Sequence, residues 1–320
     1  MDIEDAPIEV SRSGKPYVSV LLCGVITSAL TLGGVYWLSR TADDFHILGW
    51  YVNYVIPAGA MIVGAAASSG YALASWLTGT RISRGLLIAV LFLQTVAYVT
   101  AEYVEYSDVM DSLRQQGVLV GQEPSFLEYY DFKARSFAWK PKGNGNQQPE
   151  ALGGWGYVFV LLGAAGFVLS GLAAPALLYK VPYCEACQRY MKRKVLGVLP
   201  ASVPVKKIGK KDQPARDAHA KEQEQAAAKA DEALVRLRAA VDEERIDTVK
   251  QELLAAGAIK ANEKLSKRVR VSLAWCKGCR DGLMILTHVS GQGKELQAVE
   301  LGRHTVPATL VCELLDKPVA

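Results

Sequence analysis

Apolar residues are concentrated in four long runs within the first 180 residues of the chain. The runs cover residues 17–39, 47–78, 85–106 and 153–179. A helix of about 20 apolar residues crosses the roughly 30 Å of hydrocarbon in a bilayer, and every run reaches that length. No run carries a charged residue in its middle. The pattern predicts an α-helical, four-span membrane bundle over residues 17–179, and therefore a bilayer as its surroundings.

The second run is unusually long and contains a proline. Its 32 residues exceed the thickness of a bilayer, so the helix is expected to tilt or to extend beyond the hydrocarbon. Pro57 lacks an amide hydrogen, and within a helix it removes one backbone hydrogen bond. We therefore expect a kink at Pro57, about a third of the way along the run.

Basic residues in the short connections predict the orientation, because cytosolic connections are enriched in Lys and Arg. They cluster before the first run, after the second run and after the fourth: Arg12, Lys15, Arg81, Arg84, Lys180, Arg189, Lys192, Arg193 and Lys194. The connection 107–152 balances five basic against six acidic residues. Residues 1–16 and 180–320 are thus predicted to be cytosolic, N-inside and C-inside. The alanine-rich composition favours the inner membrane of a bacterium for this multi-pass protein.

The external connection 107–152 is too long for a simple turn. Six aromatic residues lie between positions 124 and 139, which predicts a short amphipathic helix or a small lid on the outer face. Residues 140–149 are rich in Gly, Asn and Gln and are predicted to be a flexible connector to the last run. His46, with Asp43 nearby, is interpreted as part of a solvated loop and not as a metal site.

Polar groups within the runs bear on whether the bundle transports a solute. Gln94 is expected to form a hydrogen bond between helices, while Glu102 and Glu105 are expected in the last turns of the third run, in reach of water. Ion-coupled carriers need ionisable groups at membrane depth. A transporter or channel is therefore the less favoured class.

Small residues recur at four-residue spacing on two of the runs. Such stripes let helices approach closely. They are Ala60, Gly64 and Ser68 on the second run, and Gly166, Ser170 and Ala174 on the fourth. Packing inside one bundle is the simpler interpretation, and an oligomer is the alternative.

The remainder of the chain has the composition of a soluble domain. Residues 180–320 carry 26 Lys and Arg against 18 Asp and Glu. A basic excess beside a membrane reflects topology. Basic and aromatic residues do not alternate as they do on nucleic-acid-binding surfaces, so no nucleic acid is expected as a partner.

Two Cys-x-x-Cys motifs are the chemical feature of this domain: Cys184 with Cys187, and Cys276 with Cys279. Each motif places two thiolates at about the distance that separates two ligands of a tetrahedral metal ion. Two such motifs supply all four ligands of a Cys₄ site. Structural disulfides are rare in the reducing cytosol, which favours metal binding. Zinc is the expected ion, and iron held by four thiolates is not distinguished from it. A redox-active dithiol is the other interpretation.

Strand patterns surround the second motif. Apolar residues at 269, 271, 273 and 275 alternate with polar ones and predict a half-buried strand. Residues 282–289 and 295–302 predict a hairpin around the Ser-Gly-Gln-Gly sequence at 290–293. Two cysteine turns on a small antiparallel sheet resemble a zinc ribbon, over about 182–199 and 268–301. The resemblance implies a small α+β domain that binds a metal, and it says little about function.

The cysteine pairs are separated by 88 residues, far more than the roughly 15–20 of most zinc ribbons. Residues 206–211 form a basic linker. Helix-forming residues follow, with apolar positions at heptad-like spacing (Ala230, Leu234, Leu237 and Val241) and a shorter helix from Ile246 to Gly257. The pattern predicts a helical hairpin inserted at about 212–262. It offers either a surface for a protein partner or simple packing on its own domain.

Other candidate ligands and thiols are not needed for this site. His288 and His304 are spare once four cysteines are present. Cys23, in the first run, and Cys312, near the end of the chain, are expected to be buried and to behave as small apolar residues.

The sequence favours a protein that is not an enzyme: an adaptor or assembly subunit that docks another protein through the cytosolic tail or the helical insertion. A membrane thiol-disulfide oxidoreductase is the alternative. Four spans with nearby cysteine pairs are similar to the quinone-coupled disulfide-forming proteins and the vitamin K epoxide reductases. In those families the active cysteines lie on the oxidising side, whereas the predicted orientation places both pairs here on the reducing side. A small-solute transporter or channel is the second alternative.

Overall fold

The protein is described from a computed structural model that covers residues 15–41, 47–53, 55–117, 123–139, 150–204 and 212–316. The chain divides into two compact units, Met1–Val181 and Pro182–Ala320. The first is helical and the second is built on an antiparallel sheet. Each unit is described by itself.

The described residues of the first unit form five α-helices. They are α1 (Lys15–Thr41), α2 (Ala58–Thr78), α3 (Arg84–Gln115), α4 (Phe126–Arg135) and α5 (Gly156–Tyr179). Two-residue strands, β1 (Ala138–Trp139) and β2 (Glu150–Ala151), pair between α4 and α5. Within the described residues, four helices (α1, α2, α3 and α5) are long and apolar enough to span a membrane. The four runs of the sequence therefore all form helices of spanning length.

The second run is not one long helix, so the prediction of a kink at Pro57 is wrong. Helix α2 begins at Ala58, and Pro57 is the residue that precedes it. Before Pro57 the chain forms a short 3₁₀ helix, Ile47–Gly49, and an isolated bridge between Val52 and Ile56. A proline is tolerated at a helix start because the first amides of a helix have no partner in the helix.

Helix α3 is longer than its apolar run. It is capped by Ser83, whose hydroxyl accepts a hydrogen bond from the Leu86 amide, and runs from Arg84 to Gln115. Charged residues are compatible with a helix, so the backbone continues where the apolar pattern stops. Glu102 and Glu105 consequently lie inside the helix and not in its last turns.

The small residues of α2 pack inside the bundle. A side chain at Gly64 would collide with the carbonyl oxygen of Phe167 on α5. A side chain at Gly166 on α5 would in turn come within 2.6 Å of the Pro57 ring. Close approach of α2 and α5 therefore requires glycine at both positions.

The second unit contains a four-stranded antiparallel sheet and a separate hairpin. The hairpin is β3 (Tyr183–Cys184) with β4 (Arg189–Tyr190), and the sheet is β5 (Lys192–Pro200), β6 (Lys267–Trp275), β7 (Gly282–Ser290) and β8 (Gln297–Val306), in the order β5-β6-β7-β8. The helices are α6 (Gln213–Asp242), α7 (Ile246–Ala255), α8 (Ile259–Asn262) and α9 (Ala308–Asp316). Antiparallel neighbours along the chain need only short connections, except between β5 and β6, where the helical insertion lies.

Helices α6, α7 and α9 pack against the sheet and form its core. Leu237 of α6, Val249 of α7 and Leu314 of α9 are fully buried with Leu273 and Leu286 of the sheet. The predicted heptad positions of the insertion are thus used for packing on the domain itself. Of the described residues on α6, Val235 leaves a large apolar side chain exposed.

Strand β6 is buried on both faces, so the prediction of a half-buried strand is wrong. Val271 and Leu273 join the core, while Ser272 and Ala274 on the opposite face are also fully buried. β6 lies between β5 and β7, whose side chains flank it on both sides. Even Arg268 is buried, and its guanidinium donates to the carbonyl oxygens of Leu265 and Gly291.

Candidate metal centre

The first cysteine turn, residues 184–187, is held by the β3–β4 hairpin. Cys184 pairs with Arg189 across the hairpin, next to the pair of Tyr183 with Tyr190. The two tyrosine rings lie edge to face with centroids 5.2 Å apart. Gln188, directly after the turn, has a left-handed backbone with φ of 49°.

The second cysteine turn, residues 276–279, connects β6 to β7. The Cys276 amide donates to the Asp281 carbonyl oxygen at 2.9 Å and closes the turn. Arg280, directly after the turn, is also left-handed, with φ of 68°. The two turns therefore reverse the chain in the same way, although neither has glycine at the left-handed position.

The two turns bring all four sulfur atoms together. The Sγ atoms of Cys184, Cys187, Cys276 and Cys279 lie within 4.8 Å of one another, and those of Cys184 and Cys279 are 3.6 Å apart. Four sulfurs at about 2.3 Å from a central zinc ion form a tetrahedron with edges of roughly 3.8 Å. The cluster therefore fits a tetrahedral, four-thiolate metal ion, whose identity the geometry does not determine.

The cysteine cluster is shielded from solvent and receives a backbone hydrogen bond, as is usual for a structural metal site. Cys184 and Cys276 are buried, and the other two cysteines are half-buried. The Gly278 amide donates to the Cys276 sulfur at 3.3 Å. A Cβ atom at position 278 would lie only 2.7 Å from the Cys187 sulfur. Glycine is thus required here for close approach of the two turns.

The environment shifts the pKa values of the thiols. Burial alone would raise the pKa of Cys276, but hydrogen bonds from the amides of Gly278 and Cys279 outweigh it and lower that pKa to about 7. Burial raises the pKa of Cys184. At neutral pH one sulfur of the cluster is therefore readily available as a thiolate, the form that binds metals.

The other candidate ligands lie outside this cluster. His304 Nδ1 lies 3.3 Å from Asp242 Oδ1, so this ring has a carboxylate partner of its own. Cys23 and Cys312 are half-buried, so both are less buried than the sequence predicts. Asp43 and His46 fall outside the described residues.

A partly buried ion-pair cluster in the helical unit was not predicted from the sequence. Lys133 Nζ on α4 lies 2.7 Å from a carboxylate oxygen of Glu102 and 2.7 Å from one of Glu105, both on α3. The Glu102 side chain is only 6% exposed, so the expectation that water solvates it is wrong. Burial alone would lower the pKa of Lys133, but the two carboxylates outweigh it and raise that pKa. The aromatic residues of the loop predicted a helix here, but not which residues it would contact.

Gln94 also departs from expectation. Its side chain is fully buried in α3, beside Gly171 of α5. Neither its amide nitrogen nor its oxygen has a hydrogen-bond partner among the described residues. The predicted hydrogen bond between helices is therefore not formed.

These observations define a class of protein: four apolar helices of spanning length joined in one chain to a small sheet domain with a zinc-ribbon-like four-cysteine cluster. The insertion of α6 and α7 between the two cysteine turns distinguishes it from an ordinary ribbon. No family model, curated protein or solved structure matches the chain.

Adding one methyl group at the second cysteine turn tests the geometry of the cluster. We expect Gly278→Ala to weaken metal binding about tenfold or more, because its Cβ would press on the Cys187 sulfur at 2.7 Å. Competition with a chromogenic zinc chelator measures the change. Gly302→Ala is the matched control, since its Cβ meets only ordinary contacts beyond 3.7 Å. Equal affinity in the two variants would contradict the proposed packing.

Proposed function

We propose that this is an integral membrane protein whose cytosolic domain, held by a structural metal ion, docks another protein. The observation that carries the proposal is the cluster of four cysteine sulfurs within 4.8 Å of one another. Zinc is the proposed ion, bound by Cys184, Cys187, Cys276 and Cys279. The proposed membrane is a bacterial inner membrane, with both chain termini in the cytosol.

A four-thiolate shell supports a structural role over a catalytic one. Catalytic zinc keeps one coordination position for water or substrate, whereas four cysteines fill a tetrahedral ion completely. The ion would link the β3–β4 hairpin to the connection between β6 and β7. Its contribution would therefore be to the fold of the domain, which leaves the function to the surface that this fold presents.

The edge strand β8 supports the docking role. It is the last strand in the sheet order, and most of its residues are exposed. Large apolar side chains of Leu296, Val299 and Leu301 are 46%, 60% and 40% exposed at this edge. An exposed edge with apolar side chains is a site where a strand of another protein can be added.

The opposite edge of the sheet lacks these properties. Strand β5 begins with the charged residues Lys192, Arg193 and Lys194, which oppose edge pairing. Each edge also accepts one side-chain hydrogen bond from a helix, Val198 of β5 from Asn262 and Leu301 of β8 from Arg238. The difference between the edges is therefore the run of three cations at the start of β5 and the exposed apolar side chains of β8. We therefore propose β8 as the docking edge.

Charged substitutions test the docking edge against the helical insertion. We expect the double variant Val299→Lys with Leu301→Lys to lose its copurifying partner, because buried lysines in an added-strand interface would lack counter-charges. Val235→Lys on α6, which is 64% exposed, is the matched control and should retain the partner. Quantitative mass spectrometry of complexes purified from native membranes is the measurement. If only the α6 variant loses the partner, the insertion and not the edge is the docking surface.

The location of the two termini separates this proposal from a thiol-disulfide oxidoreductase. A reporter fused after residue 320 should be active in the cytosol. An external C-terminal domain would favour the oxidoreductase, because disulfide chemistry belongs to the oxidising side. The lowered pKa of Cys276 suits either role, so it does not decide between them. A transporter or channel remains the second alternative, to be tested by solute uptake into vesicles.

A further inference from the structure

A large cavity lies inside the helical unit, apart from the cysteine cluster. Its volume is about 670 Å³, within the range of roughly 300–1,000 Å³ that small-molecule sites occupy. Most of its wall is apolar and comes from α1, α2, α3 and α5. Leu32 and Val35 of α1, Ala60 of α2 and Val160 of α5 are among the lining residues. Such walls suit an alkyl chain or another lipophilic body.

One part of the lining is strongly polar. Glu102, Glu105 and Asp108 of α3 line the cavity together with Lys133 of α4. Lys133 is shared between the two glutamates, and Asp108 is paired with Arg40 of α1. These groups comprise three carboxylates and two cations, so the polar part carries an excess of one negative charge.

The carboxylates lie where they are largely removed from water, so keeping them charged costs desolvation free energy. The Glu102 side chain is 6% exposed and that of Glu105 is 25% exposed, with one ammonium group to serve both. Ionisable groups that face the interior of an apolar helix bundle usually mark a functional site. A second cation would complete the balance of charge. A carboxylate or phosphate ligand would add to the excess.

We infer that this cavity binds a lipophilic primary amine: an alkyl chain against the apolar walls and a protonated amino group beside Glu105 and Asp108. The tyrosine hydroxyls help to shape the polar end. Tyr129 donates to Glu105 Oε1 at 3.3 Å, and Tyr51, which lines the cavity, donates to the Phe159 carbonyl oxygen at 2.6 Å. The inference concerns the helical unit alone and does not depend on the metal site or on the docking edge.

Three probes of equal chain length test the head-group preference. Dodecylamine, dodecanol and dodecanoate would be titrated against the full-length protein in phosphatidylcholine nanodiscs, with displacement of a fluorescent alkylamine as the readout. We expect the amine to bind at least tenfold more tightly than the alcohol, and the carboxylate most weakly, because a charge-assisted hydrogen bond is worth about this factor. Equal binding of the three probes would show partition into lipid and would overturn the inference.

Two adjacent glycines of α1 provide a matched test of the cavity itself. A Cβ atom at either Gly33 or Gly34 meets nothing within 4 Å, but of the two only Gly33 lines the cavity. Gly33→Phe should fill the space and reduce amine binding at least tenfold, and Gly34→Phe should bind like the wild type. Unchanged binding in Gly33→Phe would place the amine elsewhere and contradict the site.

A separate substitution tests the contact between the amino group of the ligand and Glu105. Glu105→Gln removes one carboxylate, while Lys133 keeps its partner Glu102. We expect amine affinity to fall about tenfold while dodecanol affinity stays the same, since the alcohol needs no counter-charge. An equal loss for both probes would indicate damage to the fold and count against the inference. Loss of zinc in a cysteine variant with intact amine binding would separate this site from the proposed metal function.

Discussion

Cys276→Ser is expected to release the metal and unfold the sheet domain. We expect about one zinc ion per chain in the wild type and almost none in the variant, because a hydroxyl is a poor replacement for a thiolate in a Cys₄ site. Structural zinc contributes on the order of 10 kcal/mol to small metal-dependent folds. Elemental analysis of the purified protein measures the metal, and limited proteolysis of residues 182–320 measures the loss of structure.

Cys312→Ser is the control for this substitution. Cys312 is a half-buried free cysteine on α9 that does not belong to the cluster. We expect it to retain metal and protease resistance. Metal retention in Cys276→Ser, or a quadruple cysteine variant that folds normally without metal, would contradict the structural metal site.

Lys133→Met is expected to destabilise the helical unit. The substitution leaves Glu102, with 6% of its side chain exposed, without its counter-charge. Breaking a buried ion pair by removal of one partner costs about 3–5 kcal/mol. The two carboxylates outweigh the effect of burial and raise the pKa of Lys133, so on the basic side the ammonium group is lost only at strongly alkaline pH. Thermal unfolding in detergent micelles at neutral pH is the measurement.

Arg135→Met, two residues away on the same helix, provides the comparison. Arg135 pairs with Asp131, but their side chains are 65% and 45% exposed. A solvent-exposed pair contributes little, so this variant should unfold like the wild type. A similar loss of stability in both variants would mean that α4 itself, and not the buried charge, is responsible.

Features that depend on local pattern were predictable from the sequence. The four apolar runs, the two cysteine turns and the strands that flank them each lie within a short stretch of chain. The short amphipathic helix of the loop forms as α4, where Ser125 and Glu128 cap each other at its start. Periodicity and turn chemistry act over a few residues, and they suffice for such elements.

Features that depend on contacts between distant residues were not predictable. Lys133 meets Glu102 across 31 positions of sequence, and burial of that pair follows only from the docking of α4 on α3. One face of β6 is buried by the helices that pack on the sheet, and the other is covered in part by Arg193 of β5, whose guanidinium donates to Ser272 Oγ. Gln94 was expected to find a partner, yet its neighbour across the helix contact is Gly171, which offers no side chain.

The helical insertion has a consequence for the time course of synthesis. The cysteines Cys187 and Cys276 are separated by 88 residues. Because a ribosome adds about 5–20 residues per second, Cys276 is synthesised roughly 4–18 s after Cys187. During that interval Cys184 and Cys187 can offer a metal only two ligands. Helices α6 and α7 are complete before a four-ligand site can form. A metal ion held by all four cysteines would therefore bind late in the synthesis of the chain.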